Sequence, residues 1–191
     1  MGREGKWEVE QKFTVQAADA LRERLARLGF AEWRRGDQSD RYFRHPCRDF
    51  RQTGEAFRVR RDADRCVVTY KGPRTEATVK TRPEIELHID SQEVHEWEDM
   101  FSRLGFKALP PIEKRRIAYR ATGTHEWADV VVVLDEVAGL GCFAEIECVV
   151  NSAADTLRAQ QTVQELAQRL GLSQIERRSY LSMALSAWGI E

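Results

Sequence analysis

Near the start of the chain, Trp7-Glu8-Val9-Glu10-Gln11-Lys12-Phe13 alternates two kinds of side chain. Neighbours on a strand point to opposite faces. Glu8, Glu10 and Lys12 therefore share one face, and Trp7, Val9 and Phe13 the other. Two carboxylates and an ammonium in a row suit a site for divalent cations and a polyanion. Hard cations take carboxylate oxygens and keep water or phosphate oxygens as further ligands. Ammonium and guanidinium groups hold phosphate, the guanidinium bidentately.

The same design recurs along the chain. Arg58 and Arg60 share a face opposite Phe57 and Val59, and Lys71 shares one with Thr69 and Val67. Arg82, Glu84 and Glu86 lie opposite Ile85 and Leu87; Lys114 and Arg116 lie opposite Arg115, Ile117 and Tyr119. Asp135 follows Val133, opposite Leu134, and Glu145 and Glu147 lie opposite Ile146 and Cys148. Cations and carboxylates nearly balance over the set. An open antiparallel sheet with one solvated face would also alternate this way. Yet these faces carry little of the Ser, Thr, Asn and Gln that usually dilute a solvent face. A closed barrel of about eight strands has an interior to line, and its apolar exterior would pack on helices. Metal plus a cationic clamp is the recurring apparatus of phosphoryl chemistry.

The elements that must position these residues are legible. Glu8-Val9-Glu10 to Arg27-Leu28-Gly29-Phe30 repeats as Glu84-Ile85-Glu86 to Arg103-Leu104-Gly105-Phe106 at an offset of 76. A third copy runs from Glu145-Ile146-Glu147 to Arg169-Leu170-Gly171-Leu172. Each copy reads as a strand, a helix and a glycine stop. The helices are expected over 19–28, 91–104 and 153–170. Their apolar stripes are Leu21/Leu25/Leu28, Val94/Trp97/Phe101/Leu104 and Leu157/Val163/Leu166/Leu170. Gly29, Gly105 and Gly171 fall where a left-handed residue ends a helix. Further strands are expected over 41–43, 56–61, 66–71, 78–82, 112–120, 130–134 and 143–149, from alternation and β-branched content. With no βαβ alternation and no Ser/Gly-rich linker, the expectation is one α+β domain, 1–191. Its sheet would be a closed eight-stranded antiparallel β-barrel with flanking helices outside.

Composition narrows the partners. The 191 residues are 42% apolar and 32% charged, with a net charge of −1. Overall charge thus gives no reason to expect nucleic acid or an anionic membrane as partner. Cys47, Cys66, Cys142 and Cys148 make no CxxC pair and read as reduced cytoplasmic thiols. Met1-Gly2-Arg3-Glu4-Gly5 is polar and no apolar run reaches about 18 residues, so neither signal peptide nor membrane span is expected. His45-Pro46-Cys47-Arg48-Asp49 reads as a loop rather than a metal site. Trp97, Trp127 and Trp188 read as packing or dimer contacts.

Glu8-x-Glu10-x-Lys12 resembles the ExExK signature of the CYTH superfamily, the triphosphate tunnel metalloenzymes. Further elements match in order: Phe57-Arg58-Val59-Arg60, Thr69-Tyr70-Lys71-Gly72-Pro73, Ile112-Glu113-Lys114-Arg115-Arg116, Leu134-Asp135-Glu136 with Gly139-Leu140-Gly141, Phe143-Ala144-Glu145-Ile146-Glu147, and Arg178-Ser179-Tyr180. Within the superfamily the chain looks most like the class IV adenylyl cyclase branch. The resemblance implies conversion of ATP to cyclic AMP and pyrophosphate with Mg²⁺ or Mn²⁺, in a homodimer. Carried over by position, Glu8, Glu10, Glu145 and Glu147 would hold metal. Lys12, Arg58, Arg60, Lys71, Lys114, Arg116 and Arg178 would bind the triphosphate. Asp135, Lys114 and Arg116 are the candidate catalytic residues, with Asp135 near the metal or the reacting hydroxyl. Ser179 could instead cap a helix start. Arg82-Pro83-Glu84-Ile85-Glu86 is more acidic than the cyclase pattern and resembles the wider superfamily, triphosphatases included. Glu86 is expected to pair with Arg82. A triphosphatase acting on tripolyphosphate, thiamine triphosphate or a nucleotide is the alternative activity, and a non-catalytic polyphosphate binder the third.

Overall fold

The computed structural model describes residues 7–62, 65–73, 84–123, 126–150 and 152–190. Nine strands and five helices follow in the order β1 Trp7–Thr14, α1 Ala18–Arg27, β2 Phe30–Arg44, α2 Phe50–Thr53, β3 Ala56–Asp62, β4 Arg65–Lys71, β5 Glu84–Ile89, α3 Val94–Arg103, β6 Lys107–Ala108, β7 Ile112–Ala121, β8 Val130–Val137, β9 Gly141–Val150, α4 Thr156–Arg169 and α5 Tyr180–Trp188. The α+β class is as expected; among the described residues there are nine strands, of which β6 pairs with β2 off the main path. That path runs from β1 to β5, and these ends do not pair among the described residues, so the sheet is open there. The strand expected over 78–82 lies outside the described residues, as does Arg82.

The chain divides into two compact units. The first contains described residues 7–35 and 115–190, the second 36–73 and 84–114. In the first, β1 pairs antiparallel with β9, and β9 with β8. Helix α4 packs on β1 and β9. The apolar strand faces supply Val9, Phe13, Val130, Val132, Leu134, Ile146 and Cys148; the helices add Leu21, Leu25, Val163, Leu166 and Leu170. Burial of side chains of this size stabilises by about 1.5–3 kcal/mol each, and it forces the alternate residues onto the opposite face. In the second unit, β2 pairs with β3, β3 with β4 and β4 with β5. Phe43, Val59, Cys66, Val68, Val94 and Phe101 form its core, with Phe57, Trp97 and Phe106 packed against it.

Two stripe positions differ from expectation. Leu104, the C-cap of α3, is 62% exposed, and Leu157, in the first turn of α4, is 71% exposed. Both sit at helix ends. The three glycine stops do take positive φ. At Gly171 a Cβ would also collide with the Arg24 guanidinium, which donates to the Leu170 carbonyl at 2.8 Å. Two helices beyond the expected three are α2, whose cap Asp49 accepts from the Arg51 N–H, and α5. The Ser179 side chain caps α5 by accepting from the Ser182 N–H. Ahead of α5, Thr14 N–H donates to the Gln174 carbonyl and Glu176 N–H to the Lys12 carbonyl, both at 2.9 Å. The chain before α5 thus lies along β1.

The His45 loop is held by its own backbone. His45 Nδ1 accepts from the N–H groups of Cys47 and Arg48, and its ring packs on Phe50 and Phe106. All four cysteines are free thiols. Among the described residues, no helix is long and apolar enough to cross a membrane.

Candidate functional site

Charged faces emerge in each unit where the apolar faces turn inward. In the first unit, the β1–β9 register sets Glu10 opposite Glu147, Lys12 opposite Glu145 and Glu8 opposite Val149. Strand β8 adds Asp135, which is fully buried, while Lys12 and Glu145 are 4% and 7% exposed. Arg116 of β7 gathers the acids. Its Nε and Nη2 donate to Asp135 Oδ1 and Oδ2 at 2.7 and 2.5 Å, and Nη2 reaches Glu145 Oε2 at 2.7 Å. Glu147 Oε1 lies 4.0 Å from Arg116 Nη1. Burial works against the Arg116 charge, but the Asp135, Glu145 and Glu147 carboxylates outweigh it and raise its pKa well above the ordinary value. Tyr180 completes the group: its hydroxyl donates to Asp135 Oδ2 at 2.9 Å, and the Lys12 ammonium stands 4.2 Å from its ring centroid. Burial, then the Glu145 and Asp135 charges, push the Tyr180 hydroxyl far above its usual pKa.

Two cations, Lys12 and Arg116, thus face four carboxylates, Glu10, Asp135, Glu145 and Glu147. Like charges directly opposite on paired strands are destabilising, so a divalent cation beside Glu10 and Glu147 would relieve their repulsion. Mg²⁺ needs only one or two protein carboxylates beside water and phosphate oxygens, and this donor set fits it. Among the described residues no three acid, histidine or cysteine side chains already converge on one point.

The second unit has the opposite surplus. Asp40 of β2 is 2% exposed and receives three cations. Arg60 Nε and Nη2 donate to its two oxygens at 2.6 and 2.8 Å, Lys114 Nζ to Oδ2 at 3.1 Å, and Arg58 Nη1 lies at 3.7 Å. Burial raises the Asp40 pKa, but Arg60, Lys114 and Arg58 outweigh it and hold the carboxyl well below its usual range. Burial opposes the charge of Arg58, while Tyr42 and Asp40 stabilise it and raise its pKa. The buried Arg58 Nε has no hydrogen-bond acceptor among the described residues. Three cations on one carboxylate form a ready site for an anion. Along the same strands, Lys71 Nζ is held by Glu84 at 2.9 Å, and the Thr69 hydroxyl donates to Glu86 at 3.3 Å.

The expected residues therefore fall into two groups, one per unit: Lys12, Arg116, Asp135, Glu145, Glu147 and Glu10, and Arg58, Arg60 and Lys114. Arg178 stands apart, its side chain 59% exposed and bidentate to Glu176 at 3.0 and 2.6 Å. Asp40 and Tyr180 were missed as site residues. Period two carried back from Tyr42 would have reached Asp40 and Gln38, both buried. Tyr180 had a signal only in the Arg178-Ser179-Tyr180 resemblance, because its neighbours in space come from β1, β8 and β9.

The CYTH domain family model matches residues 6–180. The chain belongs to the CYTH domain family. A presumed adenylate cyclase of Methanocaldococcus jannaschii is 36% identical over 178 residues, spanning 92% of this chain and 97% of that protein. A solved protein of Pyrococcus horikoshii OT3 superposes with a TM-score of 0.81 at 36% identity, over 94% of this chain and 99% of that one. A Hippeastrum protein described as a presumed adenylyl cyclase with a dominant triphosphatase activity shares the fold, with a TM-score of 0.68 at 20% identity over 94% of this chain and 95% of that one. The family match, residues 6–180, takes in both charged groups.

Proposed function

We propose that this CYTH protein is a metal-dependent triphosphate-processing enzyme, and that its reaction is conversion of ATP to cyclic AMP and pyrophosphate. The observation that carries the reading is the division of charge: a carboxylate surplus in one unit and a cation surplus around Asp40 in the other. The naming of the Methanocaldococcus relative supports the cyclase form. Glu10, Glu147 and Glu145, with Glu8, would hold Mg²⁺ or Mn²⁺. When bound, the ion would neutralise phosphate charge and acidify the attacking hydroxyl.

The chain's own groups do the rest. Arg58, Arg60 and Lys114 bind phosphate oxygens, with Lys12 and Lys71 as further cations. The ribose 3′-oxygen bonds to the α-phosphorus, its proton passes to water, and the bond to the bridging oxygen breaks. The cations stabilise charge on the departing pyrophosphate. Asp135 acts through Arg116, because its two oxygens are already taken by that guanidinium and by Tyr180.

The test is a product assay with Mn²⁺ and ATP or tripolyphosphate. Cyclic AMP and pyrophosphate in equal amounts support the cyclase. Orthophosphate with ADP, or orthophosphate from tripolyphosphate, would move the assignment to a triphosphatase that places water at the terminal phosphorus. No turnover of either compound, with tripolyphosphate still bound, would leave a binding protein.

A further inference from the structure

Gly36, Gln38, Asp40 and Tyr42 share one face of β2. Gln38, Asp40 and Tyr42 are 9%, 2% and 9% exposed, and on β3 they stand opposite Asp62, Arg60 and Arg58. The middle rung is the Asp40 cluster, whose carboxylate is met by three cations. The rungs on either side of it each keep one unmet atom. Gln38 Nε2 donates to Asp62 Oδ2 at 3.1 Å, but the buried Gln38 Oε1 accepts from no group among the described residues. At the other rung the buried Arg58 Nε finds no acceptor.

The bond to Asp62 fixes the Gln38 amide. Turned over, the side chain would set its carbonyl oxygen against a carboxylate, so Oε1 is the atom left without a partner. A buried acceptor without a donor is costly, and few native groups are left in that state. Arg58 Nε and Gln38 Oε1 have opposite needs: the first wants an acceptor, the second a donor. Their rungs are four residues apart, about 13 Å along the strands. An extended nucleoside triphosphate has that reach, with anionic oxygens at one end and the edge of a base at the other. Adenine carries an amino donor on that edge, where guanine carries a carbonyl oxygen. Gly36, the next residue along the face, adds no side chain, and a Cβ there would lie 3.2 Å from Asp62 Oδ1.

Resting on the proposed function, we propose that Gln38 reads the base of the substrate, its Oε1 accepting from the adenine amino group while Arg58 holds phosphate at the other end of the row. Gln38 is then a specificity-determining residue, and the nucleotide lies along β2 and β3 with its base toward Gly36.

Calorimetry in EDTA, where metal-dependent turnover stops, compares ATP, ITP and tripolyphosphate. ITP carries a carbonyl oxygen where ATP carries the amino group. The wild type should bind ATP about 10-fold more tightly than ITP, because ITP sets oxygen against a buried oxygen. Gln38→Leu should lose this preference, while tripolyphosphate, which has no base, binds both proteins alike. Equal binding of ATP and ITP by the wild type would overturn the inference without recourse to the variant. So would a preference that survives in Gln38→Leu, or loss of tripolyphosphate binding in a folded Gln38→Leu, which would make Gln38 a support of the cations instead. In each of these cases, tripolyphosphate binding by the wild type leaves the proposed function standing. A wild type that binds neither tripolyphosphate nor ATP would overturn that function and the role of Gln38 with it.

Discussion

Glu10 and Glu147 stand directly opposite one another where β1 pairs with β9. Cross-strand neighbours lie about 4.5–5.5 Å apart at Cβ, and a like-charged pair there costs about 0.2–1 kcal/mol. The apolar side chains of β1 and β9 face the core of the first unit, and Arg116 Nη1 lies 4.0 Å from Glu147 on the charged side. The pair makes physical sense as a cation site. Glu10→Gln should therefore bind Mn²⁺ more weakly than the wild type, with little change in stability in EDTA. The same substitution should remove most of the upward shift that Mn²⁺ gives the wild type. Thermal unfolding with EDTA and with Mn²⁺ measures both. An undiminished Mn²⁺ shift in the variant would place the ion elsewhere.

Asp40 is the counter-ion for Arg58, Arg60 and Lys114. Removing one partner of a buried ion pair costs about 3–5 kcal/mol, because it strands the opposite charge. Asp40→Asn should lower stability by about 3 kcal/mol in urea unfolding. Tripolyphosphate should then restore more stability to the variant than it adds to the wild type, since the stranded cations gain a new counter-ion. A smaller rescue in the variant would show that these cations do not meet the anion.

Much of this was legible in advance because period two acts locally. The alternation of Arg58/Arg60, Lys114/Arg116 and Glu145/Glu147 with apolar neighbours fixed their faces, and the cores confirm which face is buried. The first half of β2 was not legible. Residues 31–35 are all exposed and show no apolar alternation, so the strand was expected to begin only at 41 and Asp40 fell outside it. The Tyr180–Asp135 and Tyr180–Lys12 contacts join residues 45 or more positions apart in sequence. Only the folded chain brings them together, so no local pattern could announce them. Leu104 and Leu157 show the converse limit, in which an apolar spacing continues to positions that the fold leaves exposed.

The thiols should report on the same packing. Cys47 is exposed, Cys66 and Cys148 are buried, and Cys142 is intermediate. Burial raises the pKa of Cys66, Cys142 and Cys148, which lowers the thiolate fraction that reacts. A thiol reagent at pH 7.5 should label Cys47 rapidly and the other three at least ~10-fold more slowly. All four should react once guanidinium unfolds the chain. Fewer than four reactive thiols in the unfolded, unreduced protein would reveal a disulfide and refute the free-thiol assignment.

Acid should unfold the protein through particular carboxylates. Asp40 is held well below its ordinary pKa: burial alone would raise it, and the Arg60, Lys114 and Arg58 cations reverse the sign. Glu176 is lowered to about 2, chiefly by its hydrogen bond to the Arg178 side chain. Both folded values lie below those of the unfolded chain, about 3.9 for Asp and 4.3 for Glu. Each group therefore contributes stability that is fully present above its unfolded value and is lost as pH falls toward its folded one. The urea midpoint should owe none of its change between pH 7 and 5 to these two groups, and should fall steeply from about pH 4 to pH 2. Glu176→Gln should lower the midpoint at pH 7 and flatten the fall above pH 2, because the variant has no proton to take up there. Asp40→Asn should flatten it further, since the Asp40 carboxylate resists protonation most strongly. Wild type and both variants falling in parallel through that window would show that other groups govern acid unfolding.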